Sequence, residues 1–376
     1  MRSIHPLLSA VLVATAASPS LASQESQRVV DTLPDSLGRR VDSTISTFMA
    51  AKHVPALSVA IGLGNRLIFS RAYGLIDLEN LAPATTTSAF RTASIGKPMT
   101  ATAVLQLWQE RKLDLDAPIQ KYCPAFPLKR WPVTARQLLW HASGIRDKTA
   151  AEESNYTHYE TIAAALSPFA SDSLLFEPGT AFHYTSYGYD VLGCAIEGAS
   201  GEPYMDYMKR RVFRAAGMTH TQLDDVKELI PQRARGYALD RNAKVINAIH
   251  DDMSNRVPAR GFVSTPTDLV MFAEAYLQGK LVADSTRRLM LQRPNLRGSA
   301  PPSDGFYGFG WVISDWDGVQ EVLHGGGTPG ASAILYMLPA KGYVVAVMMN
   351  LEGVPDRGDL AGDIAIIVLG PAAPHR

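Results

Sequence analysis

Thr92-Ala93-Ser94-Ile95-Gly96-Lys97 sets a serine and a lysine three residues apart at the head of an apolar stretch. On a helix, positions i and i+3 lie on one face, so Ser94 and Lys97 face the same way. The apolar positions Met99, Val104, Leu105 and Trp108 carry this predicted helix from Ser94 to about Arg111. Pro98 is compatible because it falls near the first turn, where its missing N–H costs no helical bond. A helix start offers unpaired backbone N–H groups and partial positive charge, and both favour an oxyanion forming beside Ser94. A serine hydroxyl needs a base to become a nucleophile, and a desolvated lysine of lowered pKa can be that base. Read alone, the pair is equally a capping serine followed by a surface lysine.

Two further segments carry polar groups suited to the same chemistry. In Phe182-His183-Tyr184-Thr185-Ser186-Tyr187-Gly188-Tyr189, Tyr184 is a candidate acid/base. As a base it needs a strongly depressed pKa, which a neighbouring ammonium can supply. The alternative is an aromatic cluster packing a helix start. Val322-Leu323-His324-Gly325-Gly326-Gly327-Thr328-Pro329-Gly330 reads as a strand followed by a glycine-rich loop, where a backbone can approach a ligand closely. The alternative is a turn beside a core histidine. His-Gly-Gly-Gly also resembles the oxyanion loop of α/β-hydrolase lipases, but there the loop precedes a Gly-x-Ser-x-Gly elbow, and this chain contains none. It contains no His-Glu-x-x-His metal spacing either.

Around these segments the chain reads as helix, strands, a long helical insert, strands, helix. Leu37, Val41, Ile45 and Met49 mark an amphipathic helix over Asp35 to Ala51. Leu57 to Leu63 and Leu67 to Tyr73 are predicted strands around a Gly64-Asn65 hairpin turn. From about Lys112 to Gln278 helical patterns and loops dominate. Strands are then predicted at Phe309 to Ile313, Gln320 to Leu323, Ala331 to Met337 and Tyr343 to Met349, followed by a helix from Asp359 to Leu369 ended by Gly370. Strands segregated from helices argue for an α+β fold: an antiparallel sheet flanked by N- and C-terminal helices, with a large, mostly helical inserted region.

Composition narrows the function. The 376 residues carry zero net charge and 46% hydrophobic residues, which gives no electrostatic footprint for nucleic acid and no basic block for an anionic membrane. Arg2, the apolar run Leu7 to Ala17 and the small residues Ser20 and Ala22 read as a signal peptide over residues 1–22, cleaved after Ala22. The chain is therefore expected to be exported, to the periplasm or the medium, with residues 23–376 as one domain and no membrane-spanning segment. Cys123 and Cys194 are the two cysteines. Export permits a disulfide, but the expectation is two separate buried thiols.

Taken in order, Ser94-Ile95-Gly96-Lys97, Tyr184-Thr185-Ser186 and His324-Gly325-Gly326 resemble the serine β-lactamase and penicillin-binding-protein superfamily, in the branch holding class C β-lactamases. Leu138 to Gly144, Glu177-Pro178-Gly179 and Gly261 to Thr265 extend the resemblance over about Leu37 to Asn350. It implies an antiparallel sheet beside an all-α region, with the site between them. It also implies Ser94 as nucleophile, Lys97 and Tyr184 as its proton-handling partners, and the N–H groups of Ser94 and Gly327 as oxyanion hole. Ser186, His324, Gly326 and Gly327 would meet the substrate, and His141 would be scaffold. No metal or organic cofactor is implied, and the expected partner is a small-molecule or peptide substrate.

Two departures set this chain apart. Ser186 stands where relatives carry an asparagine that orients the lysine and meets the substrate amide, and a serine offers one hydroxyl instead. His324 stands where many relatives carry lysine, and a neutral imidazole brings no fixed charge for a substrate carboxylate. Both fit a serine hydrolase of esters or amides. The alternatives are a D-alanyl-D-alanine-type carboxypeptidase or D-aminopeptidase, a class C-like β-lactamase, and a non-catalytic cell-wall-peptide-binding protein.

Overall fold

The computed structural model describes residues 31–297 and 305–373. The expected signal peptide, residues 1–22, lies outside the described residues. The first elements are α1 (Asp35–Lys52), β1 (Ala56–Leu63), β2 (Arg66–Asp77) and β3 (Ala82–Pro83). Then come α2 (Gly96–Gln109), α3 (Ser186–Ser200) and α4 (Pro266–Leu277). The chain closes with β4 (Phe306–Tyr307), β5 (Val312–Trp316), β6 (Val319–Thr328), β7 (Ala331–Leu338), β8 (Tyr343–Met349) and α5 (Arg357–Leu369). Eight strands form one antiparallel sheet in the order β3-β2-β1-β8-β7-β6-β5-β4. The N- and C-terminal strands thus share one sheet, and β1 pairs with β8 from Leu57↔Met349 to Leu63↔Tyr343.

Side chains alternate across the sheet with period two. Leu57, Val59, Ile61, Ile334, Tyr336, Val345 and Val347 face one way and pack with Val41 and Ile45 of α1 and Leu360 and Ile364 of α5. Ala60, Ala333, Leu335, Ala346 and Met348 face the other way, toward Met99 of α2 and Leu269 and Val270 of α4. The core strands are buried on both faces, which explains their near-continuous apolar sequence. The Gly64-Asn65 turn takes positive φ at both residues, 58° and 64°, the geometry a two-residue hairpin with native twist requires.

Several expectations are corrected. Phe309 to Ile313 is not one strand, because Gly310, at φ 81°, breaks it and β5 begins only at Val312. Phe309 and Trp311 instead turn fully into the core, Trp311 against Phe272 and Tyr276 of α4. The glycine-rich segment is not a loop after a strand. Pairing with β7 continues from His324↔Leu335 to Gly327↔Ser332, so β6 runs through it. Pairing with β5 ends at Leu323, and beyond it β6 has an open edge among the described residues. The inserted region is not all-α. Phe90–Arg91 and Gln222–Leu223 flank Phe262–Ser264 in a small sheet, and Tyr237–Leu239 pairs with Val245–Asn247. Strands of two or three residues are too short to leave a period in the sequence. The last helix opens at Arg357 rather than Asp359 and ends at Gly370, as expected.

Cys123 and Cys194 are not separate thiols. They form a disulfide that ties a loop early in the insert to α3 across 71 residues of chain. Closing a loop of that length removes unfolded-state entropy worth about 4 kcal/mol. The Cys123→Ser/Cys194→Ser variant should melt well below the parent under non-reducing conditions. The parent alone should lose stability on adding dithiothreitol, and equal melting of the two without reductant would contradict the bridge.

Candidate active site

Ser94 sits in a single 3₁₀ turn, Ala93–Ile95, that leads directly into α2. Its position is set from two sides. Thr92 donates its N–H to the Phe262 carbonyl at 2.9 Å, so the small sheet fixes the approach to the turn. Gly326 of β6 presses on the same backbone: a Cβ there would lie 2.6 Å from the Thr92 carbonyl oxygen and 3.1 Å from Ala93 Cβ. Only glycine permits that approach. Ala93 takes φ 47°, a left-handed conformation unusual for a residue with a side chain.

Lys97 follows one turn later and is wholly buried. Its Nζ lies 3.0 Å from Ser94 Oγ and 3.2 Å from Ser186 Oγ. It also stands over the Tyr184 ring, 4.8 Å from the centroid. No ion pair reaches it among the described residues. Burial lowers its pKa to about 7, against the opposing pull of Asp147 and Asp190 and with help from Arg260 and Lys148. A lysine of ordinary pKa would be neutral in about one molecule in three thousand at pH 7. Here close to half would be, so the amine can accept the Ser94 proton.

Tyr184 lies beside Ser94, but its electrostatics differ from the sequence expectation. Burial raises its pKa, and the Ser94 hydroxyl offsets this only in part. The phenol is neutral, which suits a proton donor rather than a base. His141 takes the scaffold position: it is fully buried, its Nδ1 accepts the Thr185 N–H at 3.2 Å, and its ring packs 4.2 Å from that of Tyr184.

The expected substrate contacts divide. Ser186 Oγ is directed at Lys97, and its N–H donates to Asp147 Oδ1 at 2.9 Å, so the residue orients the lysine instead of reaching outward. His324 is 3% exposed, and both its ring nitrogens are engaged. Tyr307 Oη lies 2.9 Å from Nε2, and the Gly325 carbonyl lies 2.7 Å from Nδ1. Nδ1 therefore carries the proton, and Tyr307 donates to Nε2. Burial, with Lys97 nearby, lowers the His324 pKa to about 3. The imidazole is a neutral wall of the site with no spare polar atom for a carboxylate. Gly326 is buried against Ser94, whereas Gly327 is exposed at the open edge of β6.

Asp147, Tyr307 and Asp190 were missed by the sequence reading. Asp190 lies one helical turn after Ser186 on α3, a spacing that signals a shared face. It is fully buried, and burial raises its pKa well above the usual carboxylate range. Tyr307 and Asp147 carry no such signal, since each meets its partner through tertiary structure. Among the described residues no group of His, Cys, Asp or Glu is arranged to hold a metal ion.

Comparison with known proteins agrees with this geometry. The Beta-lactamase family model matches residues 41–369. The mitochondrial serine beta-lactamase-like protein LACTB of Bos taurus is 26% identical, over 80% of this chain and 74% of the relative. The octameric penicillin-binding protein homologue from Pyrococcus abyssi superposes with a TM-score of 0.77 at 25% identity, over 89% of this chain and 77% of that one. D-amino acid amidase from Ochrobactrum anthropi SV3 has the same fold, with a TM-score of 0.77 at 22% identity, over 90% of this chain and 100% of the amidase. With a family match over nearly its whole length and its serine and lysine in contact at the head of α2, the chain belongs to the Beta-lactamase family of serine hydrolases.

Proposed function

We propose that this protein is an exported hydrolase that cleaves esters in preference to cephalosporins through an acyl-Ser94 intermediate, its leader ending at Ala22. The observation that carries the reading is the 3.0 Å contact between Ser94 Oγ and the buried amine of Lys97, whose pKa burial lowers to about 7. Lys97 takes the hydroxyl proton as Ser94 Oγ attacks the carbonyl carbon. The developing oxyanion is held by the N–H groups of Ser94 and Gly327. Tyr184 gives its proton to the departing oxygen or nitrogen, and the Lys97 ammonium, which stands over the Tyr184 ring, returns a proton to the phenolate. Water then enters by the same relay run in reverse and releases the acid.

The preference for esters rests on His324. A neutral imidazole already bonded to Tyr307 and Gly325 offers no charge beside the scissile bond. Ser186, engaged with Lys97, offers no amide to a substrate peptide bond. A D-amino-acid amidase or peptidase reading is favoured by the similarity to D-amino acid amidase alone.

Intact-mass analysis after treatment with a fluorophosphonate should show one adduct, on the peptide holding Ser94, and Ser94→Ala should abolish it. A persistent adduct in that variant would refute the nucleophile. The pH dependence of kcat/KM should show a rising limb centred near 7. Below it, Lys97 is protonated and cannot accept a proton, so the rate should fall about tenfold per unit. Lys97→Ala should lose at least a thousandfold and the limb with it. A limb near pH 4 would point to a carboxylate base. Turnover of p-nitrophenyl butyrate should exceed that of nitrocefin in kcat/KM, and the opposite order would overturn the specificity assigned to His324.

A further inference from the structure

Beside the site lies a pocket of about 300 Å³ lined by Arg91, Arg233 and Arg235, with Asn247, His250 and Pro329 on its walls. Two of these walls are continuous with the active-site elements. Arg91 precedes Ser94 by three residues, and Pro329 follows Gly327 by two. Arg91 Nη1 donates to the Pro329 carbonyl at 3.0 Å, which joins the two walls. A chain spans at most ~3.6 Å per residue, so the Cα of Arg91 lies within about 11 Å of that of Ser94, and the Cα of Pro329 within about 7 Å of that of Gly327. The third wall is brought in by close packing. A Cβ on Gly236 would lie 2.7 Å from Gly330 Cα, so the segment carrying Arg233 and Arg235 rests against the turn between β6 and β7.

The lining is short of negative charge. Asp224, 2% exposed, is shared by Arg91 Nε at 2.7 Å and Arg233 Nη2 at 3.0 Å. Arg235 is paired with Glu79, which stands outside the lining. Asp251 is the acid on the pocket wall, and it is committed to Arg260 at 2.8 Å. Arg91 spends its guanidinium on Asp224 and on the carbonyls of Pro329 and Asp251, so Arg233 and Arg235 are the arginines left to meet a ligand. Both are partly exposed at the pocket, and a guanidinium fork matches carboxylate and phosphate oxygens.

The pocket also lies at a definite end of the substrate path, given the proposed acyl-Ser94 chemistry on which this inference rests. The proton donor Tyr184 stands near His324, with ring centroids 6.4 Å apart, so the leaving group departs at that end of β6. The acyl group extends the opposite way, past Gly327 toward Pro329. We propose that the arginine pocket binds a carboxylate or phosphate at the far end of the acyl chain, making the preferred substrates esters of anionic acyl groups. The charge that His324 does not provide beside the scissile bond is thereby supplied several bonds away on the other side.

Two alkyl fluorophosphonates of about nine carbons, long enough to cover a span of about 11 Å, test this, one ending in methyl and one in carboxylate. Their second-order rates of Ser94 labelling are compared. The carboxylate probe should label the parent faster by about tenfold, the size of one charge-assisted hydrogen bond. Arg233→Gln and, independently, the more exposed Arg235→Gln should each lower that ratio severalfold, and in the parent added salt should lower it as well. Labelling by the methyl probe reports that Ser94 and the fold survive in each variant. A parent that reacts equally with both probes, or faster with the methyl one, overturns the pocket assignment and leaves Ser94 standing. So does a ratio unmoved in both variants. Failure of both probes to label the parent overturns the Ser94 reading, and the pocket assignment with it.

Discussion

The burial of one amine constrains the rest of the structure. Lys97 is wholly enclosed, and its hydrogen bonds go to two hydroxyls. Enclosing an ammonium without a contacting counter-ion costs several kcal/mol, and the lysine meets that cost by giving up its proton readily. A group held at this cost stays in place only if the helix beneath it cannot shift. Thr100, one turn further along α2, donates to the Pro258 carbonyl at 2.6 Å and is 2.6 Å from Tyr204 Oη. Gly326 presses on the turn before α2 from the sheet side. The strained φ of Ala93 is sustained between these restraints.

The same low-dielectric surroundings act on every titratable group near the serine. Burial drives Lys97, His141, His324, Tyr184 and Asp190 each toward its neutral form. Such a centre exchanges protons easily, because no member is pinned by a salt bridge. It is also a poor place to recognise a charged substrate. Fixed charge appears further out, where Arg91, Arg233 and Arg235 are spread around one buried carboxylate, Asp224, and one solvent-facing one, Glu79.

Local features of the chain were legible where a physical period expressed them. The i, i+3 spacing of Ser94 and Lys97, the four-residue recurrence of Val41 and Ile45, the Gly64-Asn65 turn and the apolar runs of β7 and β8 all read directly. The strand through His324 to Thr328 did not, since three glycines carry no alternation of side chains. The partnership of Tyr307 with His324 depends on how β4 to β6 fold beside α3. The disulfide was not legible because 71 residues separate its halves, and sequence holds no measure of their distance in space. The neutral state of the Tyr184 phenol was hidden for the same reason. The neighbouring lysine was visible in the motif, whereas the burial that outweighs it is a property of the assembled core.

The adjacency of β1 and β8 has a consequence for biogenesis. The centre of the sheet joins residues 56–63 to residues 343–349, so the strand made early waits for its neighbour until nearly the whole chain has been synthesised. Pairing across such separation is slow, because the loop-closure entropy comes before the contacts that offset it. The N-terminal hairpin can form by itself, but an isolated hairpin is marginal in water. The nascent chain therefore remains uncommitted for most of its synthesis. That leaves the apolar strands in need of a holding chaperone until Met349 emerges.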